Sequence, residues 1–340
     1  MIEYTISKEQ ISILKQPFYI AEISCNHMGD HDILTKSVAV AFESGANAVK
    51  LQSSTPDSLT RNFDAPEFYV NNIGSPWHGR HLYDLYEETC TPVNWPVELI
   101  IEYKKKNKIV FSTPFSTNMV DMLEENASPD YYKVSSIDWN YIDLIQRCCN
   151  TNKPVFISLV KPSKQLPELL KFGFKNLIPM LCISQYPSKP EHMDFSELVY
   201  LKQFEIFGFS DHSLNSSLSS LAISHGATVI EKHFMLNDKI VSADAHFSLI
   251  PSQFKDQTLQ WNEIFLASMS SSTDTTIPIG RSVYFDRDVS EGEILTKEML
   301  SIIRPGGGGV SPLQLGSLIG GKLKIDVQRS NLLQIGDIGY

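Results

Sequence analysis

Two histidines each stand at the end of a short apolar run, His212 in "FGFSDHS" and His233 in "VIEKHF". Runs of this length and composition predict buried strands. If the two strands are neighbours in a parallel sheet, their carboxyl ends lie at one edge and the imidazoles lie side by side. Paired imidazoles are common ligands of a divalent transition metal ion. The alternative is that each histidine is a hydrogen-bonded structural residue, but a pair on adjacent strand ends favours the metal site.

Lysines, carboxylates and hydroxyls stand at the ends of the other predicted strands. Lys50 and Lys133 are the most informative, because a lysine inside a barrel is costly unless it is paired with an anion. Two lysines among hydroxyls suit a small ligand that carries a phosphate and a carboxylate. The alternative is that both lysines form structural ion pairs with Glu22, Asp138 or Glu231, and the residues alone leave this choice open.

Eight short apolar or β-branched runs predict strands, and segments of helical periodicity lie between them. The predicted strands are 18–23, 48–52, 109–113, 131–136, 155–160, 178–184, 206–211 and 229–234. Several of the helical segments end on glycine, as helices with a left-handed C-cap do. Alternation of apolar strands with helices indicates a parallel sheet covered on both faces. Eight such repeats predict an α/β fold, a (β/α)8 TIM barrel, whose strand carboxyl ends form the active-site face.

The C-terminal part of the chain has a different pattern. Residues 267–280, "ASMSSSTDTTIPIG", are rich in serine and threonine, as linkers are. The residues after them contain many short strands and turns. We therefore predict a barrel domain over 1–268, a linker over 269–280 and a small, mainly β domain over 281–340.

Composition argues against several classes of function. The 340-residue chain has a net charge of −10, unlike a general nucleic-acid or membrane-surface binder. No apolar stretch approaches the roughly 20 residues that span a bilayer, and the first residues lack the pattern of a secretory signal. The stretch "AEISCNHMGD" has one glycine, which argues against a dinucleotide-binding fingerprint. Five cysteines without metal-type spacing indicate free thiols, so we expect a cytoplasmic protein.

A series of short motifs, taken together, resembles the sialic acid synthase family, whose members make nonulosonic acids. The motifs are "AEISCNHMGD", "GANAVKLQ", "STPFS", "YYKVSS", "YPSKPEHMD", "FGFSDHS", "GATVIEKHF", "DAHFSL", "GRSVYFDRDV" and "RPGGGG". They cover nearly the whole chain, and "LQSSTPDSLT" with "LYDLYEETCTPVNW" resembles the pseudaminic branch. The resemblance implies condensation of phosphoenolpyruvate with an N-acetylated amino sugar, giving a nine-carbon 2-keto acid and phosphate. The sugar of the pseudaminic branch is 2,4-diacetamido-2,4,6-trideoxy-L-altrose, and neuraminate and legionaminate synthesis are the alternatives within the family.

The resemblance also implies roles for individual residues. A divalent metal ion, typically Mn²⁺ with Mg²⁺ or Co²⁺ as alternatives, would be held by His212 and His233. The phosphoenolpyruvate-binding positions are Lys50, Thr113, Lys133, Ser136, Ser158 and Ser210. The sugar-contacting positions are Glu22, Ser184, Tyr186, Asp244 and Arg304. The implied catalytic residues are Glu22, Lys133 and Asp138.

The tail resembles the antifreeze-like (SAF) domain that ends these synthases. This implies a domain-swapped homodimer, in which the tail reaches over the barrel of the other subunit and presents Arg304 of "RPGGGG" to the sugar. An ice-binding function is not favoured, because an ice-binding face is flat and uncharged and this tail is crowded with charged residues.

Two positions depart from the family pattern. Asp138 stands where relatives carry glutamate, and Ser158, Leu159 and Val160 replace the usual "STG" turn. A carboxylate shortened by one methylene is displaced by about 1 Å, enough to slow a reaction step. These departures motivate a second hypothesis, a catalytically weakened homologue that binds a sugar without turnover.

Overall fold

The computed structural model describes residues 17–73, 75, 77–269 and 280–339. The chain divides into two compact units, Met1–Ser270 and Ser271–Tyr340. Most of the predicted linker, 269–280, lies outside the described residues.

The first unit contains a closed barrel of eight parallel strands in chain order. The strands are β1 Phe18–Glu22, β2 Ala48–Ser53, β3 Ile109–Pro114, β4 Tyr132–Val134, β5 Val155–Leu159, β6 Leu177–Cys182, β7 Gly208–Asp211 and β8 Val229–His233. Strand β8 pairs with β1 and closes the barrel, with His233 opposite Glu22. The predicted (β/α)8 TIM barrel is confirmed.

Ten α-helices lie between and after the strands in the part of the chain that the structure describes. They are α1 His31–Glu43, α2 Pro56–Leu59, α3 Leu82–Thr89, α4 Asn94–Lys104, α5 Thr117–Asn126, α6 Ile142–Cys149, α7 Pro162–Leu170, α8 Phe195–Leu201, α9 Ser217–Ser224 and α10 Pro251–Met269. Gly45 and Gly226 follow α1 and α9 with φ of 99° and 100°, the left-handed conformation expected of a helix-ending glycine.

The barrel interior has an apolar layer and a polar layer, because alternate residues of a strand face the same side. The apolar layer is a buried cluster that includes Ile20, Phe111, Phe156 and Val229. Two residues further along each strand the side chains become polar. This polar layer comprises Glu22, Lys50, Thr113, Lys133, Ser158, Cys182, Ser210 and Glu231. Strand periodicity therefore places these side chains together at the carboxyl ends of the strands.

A buried ion pair lies on the opposite, outward side of β7 and β8. Lys232 is 1% exposed, and its Nζ lies 3.1 Å from Oδ2 of Asp211. The same ammonium group donates to the carbonyl oxygens of Ser213 and Asn215. Lys232 therefore fixes the segment that follows His212 from behind the sheet.

The second unit is small and mainly β. Strand β9 Ser282–Phe285 pairs antiparallel with β10 Leu300–Ile303, and β11 Lys322–Leu323 pairs antiparallel with β12 Ile338–Gly339. A Cβ atom at Gly309, whose φ is 65°, would lie 2.4 Å from the carbonyl oxygen of Leu333. Glycine is therefore required there, and the "GGGG" run forms a closely packed turn.

Among the described residues, no helix combines the length and apolar character needed to cross a membrane.

Candidate active site

The polar layer of the barrel encloses a small cavity of about 90 Å³, here called the inner cavity. Its lining is dominated by charged groups, hydroxyls and imidazoles from all eight strand ends. The residues are Glu22, Lys50, Gln52, Thr113, Phe115, Lys133, Ser135, Ser136, Ser158, Cys182, Tyr186, Ser210, His212, Glu231 and His233. All six predicted phosphoenolpyruvate positions and both predicted metal-binding histidines are among them.

Lys50 lies between two carboxylates. Its Nζ is 2.9 Å from Oε2 of Glu22 and 3.6 Å from Oε1 of Glu231. It also donates to Oγ1 of Thr113 at 3.0 Å. Burial lowers the pKa of Lys50, but the two carboxylates outweigh burial and raise the pKa above its ordinary value. Lys50 is therefore a cation at neutral pH.

In the described part of the chain, Lys133 pairs with one carboxylate, that of Glu231. Its Nζ donates to Oε2 of Glu231 at 2.8 Å, and its other contact is the Sδ atom of Met180 at 3.4 Å. Burial lowers the pKa of Lys133, with Glu231 opposing the effect. Glu231 also accepts a hydrogen bond from Ser210 at 3.0 Å. Burial raises the pKa of Glu231, but the charges of Lys133 and Lys50 outweigh it and hold the value at about 2.

The sequence left two roles open for the lysines, ligand binding and structural ion pairing, and the structure is consistent with both. The lysines do form ion pairs, with Glu22 and Glu231, and they also line a cavity. Two lysines and two carboxylates leave these four groups without net charge. An anion that entered the inner cavity would take over donor groups that Glu231 now holds.

Hydroxyl groups complete the lining. Ser158 is 2% exposed, and its Oγ has no hydrogen-bond partner among the described residues. An unpaired buried hydroxyl is unfavourable, so this group is suited to donate to a ligand oxygen. Ser158 is the serine retained from the "STG" turn, and its side chain does face the cavity.

His212 and His233 lie side by side, with ring centroids 5.3 Å apart. Nδ1 of His212 donates to the carbonyl oxygen of Ile183 at 3.0 Å, which leaves Nε2 as the acceptor nitrogen. Nδ1 of His233 is buried without a hydrogen-bond partner in the described part of the chain, and Oδ2 of Asp244 lies 3.6 Å from it. Burial lowers the pKa of His212 to about 4 and that of His233 well below its ordinary value.

These features fit a metal ion shared by two imidazoles. Both rings are neutral at pH 7, as metal ligands must be, and one ring nitrogen has its orientation fixed by a backbone carbonyl. Within the described residues, no group of three or more histidine, cysteine, aspartate or glutamate side chains could hold a metal ion. The remaining ligands would therefore come from substrate or water.

A second cavity of about 290 Å³, here called the outer cavity, adjoins the inner one. Gln52, Phe115, Ser135 and Tyr186 line both cavities. The predicted sugar-contacting residues Ser184 and Asp244 line the outer cavity with Tyr186. Polar contacts connect the two cavities, because Gln52 donates to Glu22 and to Ser24 at 2.9 Å, and Ser24 donates to Asp244.

Two predicted site residues lie apart from these cavities. Asp138 lines neither, although its Oδ2 atom is buried without a partner among the described residues. Burial and then the charge of Asp138 raise the pKa of Tyr86, which lines the outer cavity. Arg304 is an exposed residue of the second unit. The assignments of Asp138 and Arg304 stay predictions.

Two functional candidates were missed in the sequence. Glu231 was considered as an ion-pair partner alone, and it is the carboxylate that joins both lysines and Ser210. Gln52, the last residue of the second predicted strand, was not assigned a role. Strand periodicity could have found both, because Glu231 lies two residues before His233 and Gln52 lies two residues after Lys50.

Comparison with known proteins places this geometry in a family. The NeuB family model matches residues 37–272, and the SAF domain model matches residues 280–338. A pseudaminic acid synthase of Campylobacter jejuni is 33% identical over 337 residues, covering 95% of this chain and 97% of that protein. An N,N'-diacetyllegionaminic acid synthase of Legionella pneumophila is 27% identical, covering 93% of each chain.

A solved structure has the same fold. The crystal structure of a putative spore coat polysaccharide biosynthesis protein E of Chromobacterium violaceum has a TM-score of 0.68 and 23% identity, covering 96% of this chain and all of that one. The family model covers more than half of the chain, and the barrel carries the paired lysines and histidines at its strand ends. The chain therefore belongs to the NeuB family and is a nonulosonic acid synthase, an enzyme that forms a carbon–carbon bond with phosphoenolpyruvate.

Proposed function

We propose that the enzyme is a pseudaminic acid synthase, which condenses phosphoenolpyruvate with 2,4-diacetamido-2,4,6-trideoxy-L-altrose and releases phosphate. The observation that carries the proposal is one cavity lined by Lys50, Lys133, His212 and His233, adjoining a larger cavity with room for a sugar. The named pseudaminic acid synthases are 32–33% identical to the chain, against 27–28% for the legionaminic acid synthases.

In this proposal phosphoenolpyruvate occupies the inner cavity. Lys50 and Lys133 bind its phosphate and carboxylate, and the hydroxyls of Thr113, Ser158 and Ser210 donate to the same oxygens. The open-chain sugar lies in the outer cavity with its aldehyde toward the histidines. Carbon 3 of the enol forms the new bond to the aldehyde carbon, water adds to carbon 2, and phosphate leaves as the bond from carbon 2 to oxygen breaks.

The chain's own residues position this reaction. Burial raises the pKa of Glu22 above its ordinary value, so its carboxylate is a better proton acceptor in the reaction than an ordinary glutamate. Tyr186 and Asp244 contact the sugar from the wall of the outer cavity. We also propose that His212 and His233 hold a divalent ion, most suitably Mn²⁺. Such an ion would supply Lewis-acid polarisation of the aldehyde oxygen and positive charge in a cavity whose own four charges cancel.

The test is phosphate release from phosphoenolpyruvate with a panel of N-acetylated sugars under Mn²⁺, with product mass as the second readout. We expect the diacetamido trideoxy sugar to give the highest kcat/KM and a nine-carbon product. The chelated enzyme should lose activity and regain it with Mn²⁺, and His233→Asn should lose that recovery. Activity that survives rigorous chelation unchanged contradicts the metal assignment, and sugar binding without phosphate release supports the weakened-homologue hypothesis.

We further propose a homodimer in which Arg304 serves the active site of the other copy. Arg304→Ala and Lys133→Met would each inactivate the enzyme alone. If Arg304 acts across subunits, a refolded equimolar mixture regains about a quarter of wild-type activity, because half of the dimers are mixed and each has one intact site. No recovery in the mixture contradicts this proposal.

A further inference from the structure

One wall of the outer cavity comes from a single chain segment, residues 54–93 between β2 and α4, here called the outer wall. Its lining residues are Ser54, Leu59, Val70, Trp77, Leu82, Leu85, Tyr86, Thr89 and Cys90. None of the described residues of this segment lines the inner cavity. The outer wall therefore faces the part of a bound ligand that is farthest from the inner cavity.

Most of the outer wall is apolar or already hydrogen-bonded. Leu59, Val70, Leu82 and Leu85 present hydrocarbon. Ser54 and Cys90 hydrogen-bond to each other at 3.2 Å. Thr89 donates its hydroxyl to a backbone carbonyl of its own helix at 2.8 Å.

Trp77 differs from these residues. Its Nε1 atom is buried, and it has no hydrogen-bond partner among the described residues. An indole nitrogen is a donor only, and an unmet buried donor is unfavourable. A ligand acceptor at this point would therefore be bound with little competition from water.

The position of Trp77 fits the far end of a sugar. Its ring centroid lies 5.9 Å from that of Tyr186, and the Tyr186 ring lies 4.5 Å from that of His212. Two ring contacts thus join the histidine pair to the outer wall. A sugar whose aldehyde carbon lies at the histidines would have its remote carbons, not carbon 2, beside Trp77.

We propose that Trp77 and the neighbouring leucines form a subsite for an acetamido group on a carbon of the sugar remote from the aldehyde, carbon 4 of the hexose. The carbonyl oxygen of that group accepts from Nε1 of Trp77, and its methyl group packs against Leu82 and Leu85. A hydroxyl at the same carbon lacks the projecting carbonyl oxygen and the methyl group, so it would leave both Nε1 and the apolar surface without a partner. This inference rests on the proposed synthase function and adds the group that the outer wall recognises.

The test compares two sugars that differ only at carbon 4, the 2,4-diacetamido-2,4,6-trideoxy hexose and its 4-hydroxy counterpart. Wild-type enzyme should prefer the diacetamido sugar by at least tenfold in kcat/KM. Trp77→Phe keeps the ring and removes the donor, so KM for the diacetamido sugar should rise about tenfold with little change in kcat. The 4-hydroxy sugar should show less than a threefold change, a difference that general loss of structure would not produce.

Trp95→Phe is the matched control, because Trp95 contacts His27 and His31 and lines neither cavity. It should leave both sugars unchanged. Equal kcat/KM for the two sugars in wild type, or an equal loss for both in Trp77→Phe, would overturn the inference.

Calorimetric titration with the reduced, non-reactive alditols separates this inference from the synthase proposal. Tighter binding of the diacetamido alditol that depends on Trp77, without any turnover of the aldehyde, would support the subsite and contradict the synthase proposal. Turnover of the aldehyde with equal binding of the two alditols would support the synthase proposal and contradict the subsite.

Discussion

Replacing Glu231 by Gln should destabilise the barrel more than removing its partner Lys133. The two side chains are 2–3% exposed, and Nζ of Lys133 lies 2.8 Å from Oε2 of Glu231. At an effective dielectric constant of about 20, two charges at this distance attract by about 6 kcal/mol. Desolvation offsets most of that attraction, but a partner left alone keeps its desolvation cost, which is typically about 3–5 kcal/mol.

The remaining contacts decide the order of the two effects. Glu231→Gln leaves Lys133 without a carboxylate, with only a neutral amide oxygen and the sulfur of Met180 at 3.4 Å, so we expect a loss of about 4 kcal/mol. Lys133→Met leaves Glu231 with Ser210 at 3.0 Å and Lys50 at 3.6 Å, so we expect about 2 kcal/mol. The double variant should lose less than the sum of the single losses by at least about 1.5 kcal/mol.

Urea unfolding followed by tryptophan fluorescence is the assay, because all four tryptophans, Trp77, Trp95, Trp139 and Trp261, lie in the barrel unit. The exposed pair Lys171 and Glu168 is the control, and its disruption should cost less than about 0.5 kcal/mol. If Lys133→Met were the more costly change, or if the two losses added without coupling, the described contacts of Glu231 would be wrong.

Three further predictions concern single residues. Burial raises the pKa of Asp138 to about 6, so ionisation of its carboxyl group lowers the stability of the fold as the pH rises from about 4 to about 6, with the full loss above 6. Asp138→Asn should therefore gain about 2 kcal/mol of unfolding free energy at pH 8 and nothing at pH 4. Slower turnover with unchanged stability would contradict this account. Burial lowers the pKa of His27 to about 4, so the stability of the fold falls as the pH drops from 6.5 toward 4. Gln cannot titrate, so the unfolding free energy of His27→Gln should fall by about 2 kcal/mol less than that of wild type between pH 7 and pH 5. A Cβ atom at Gly208 would lie 2.8 Å from the carbonyl oxygen of Val229, so Gly208→Ala should lose about 1–3 kcal/mol in urea unfolding, and a neutral result would show that β7 and β8 are less closely packed.

The strands and the inner cavity could be predicted because strand periodicity determines both. In most strands the first polar residue of the cavity stands two positions after a residue of the apolar layer, as Lys50 follows Ala48 and Lys133 follows Tyr131. The same rule distinguishes Glu231 from Lys232, which faces outward toward Asp211. Glu231 and Lys232 are adjacent charged residues at one strand end, and only Glu231 lines the cavity.

The outer wall could not be predicted, because its position depends on contacts between distant parts of the chain. Residues 54–93 have no sustained period, and helix α3 spans only Leu82–Thr89. A hydrogen bond between Ser54 and Cys90 joins the two ends of the segment. A second hydrogen bond, between His27 and Thr91, holds its C-terminal end against the barrel. Trp77 therefore has no local sequence signal. That its indole nitrogen lacks a partner among the described residues is evident only in the folded chain.

The opposite facing of Glu231 and Lys232 has a consequence for folding fidelity. A strand β8 displaced by one residue would turn Lys232 and Phe234 toward the lysines of the barrel interior and send Glu231 and His233 into the hydrocarbon beneath the helices. In such a mispaired barrel Lys232 would lie beside the other lysines of the interior, and Glu231 would be buried without a partner beneath the helices. The alternating charges along β8 therefore disfavour the shifted register. The charged side chains that line the inner cavity thus also help the folding chain to select its native strand pairing.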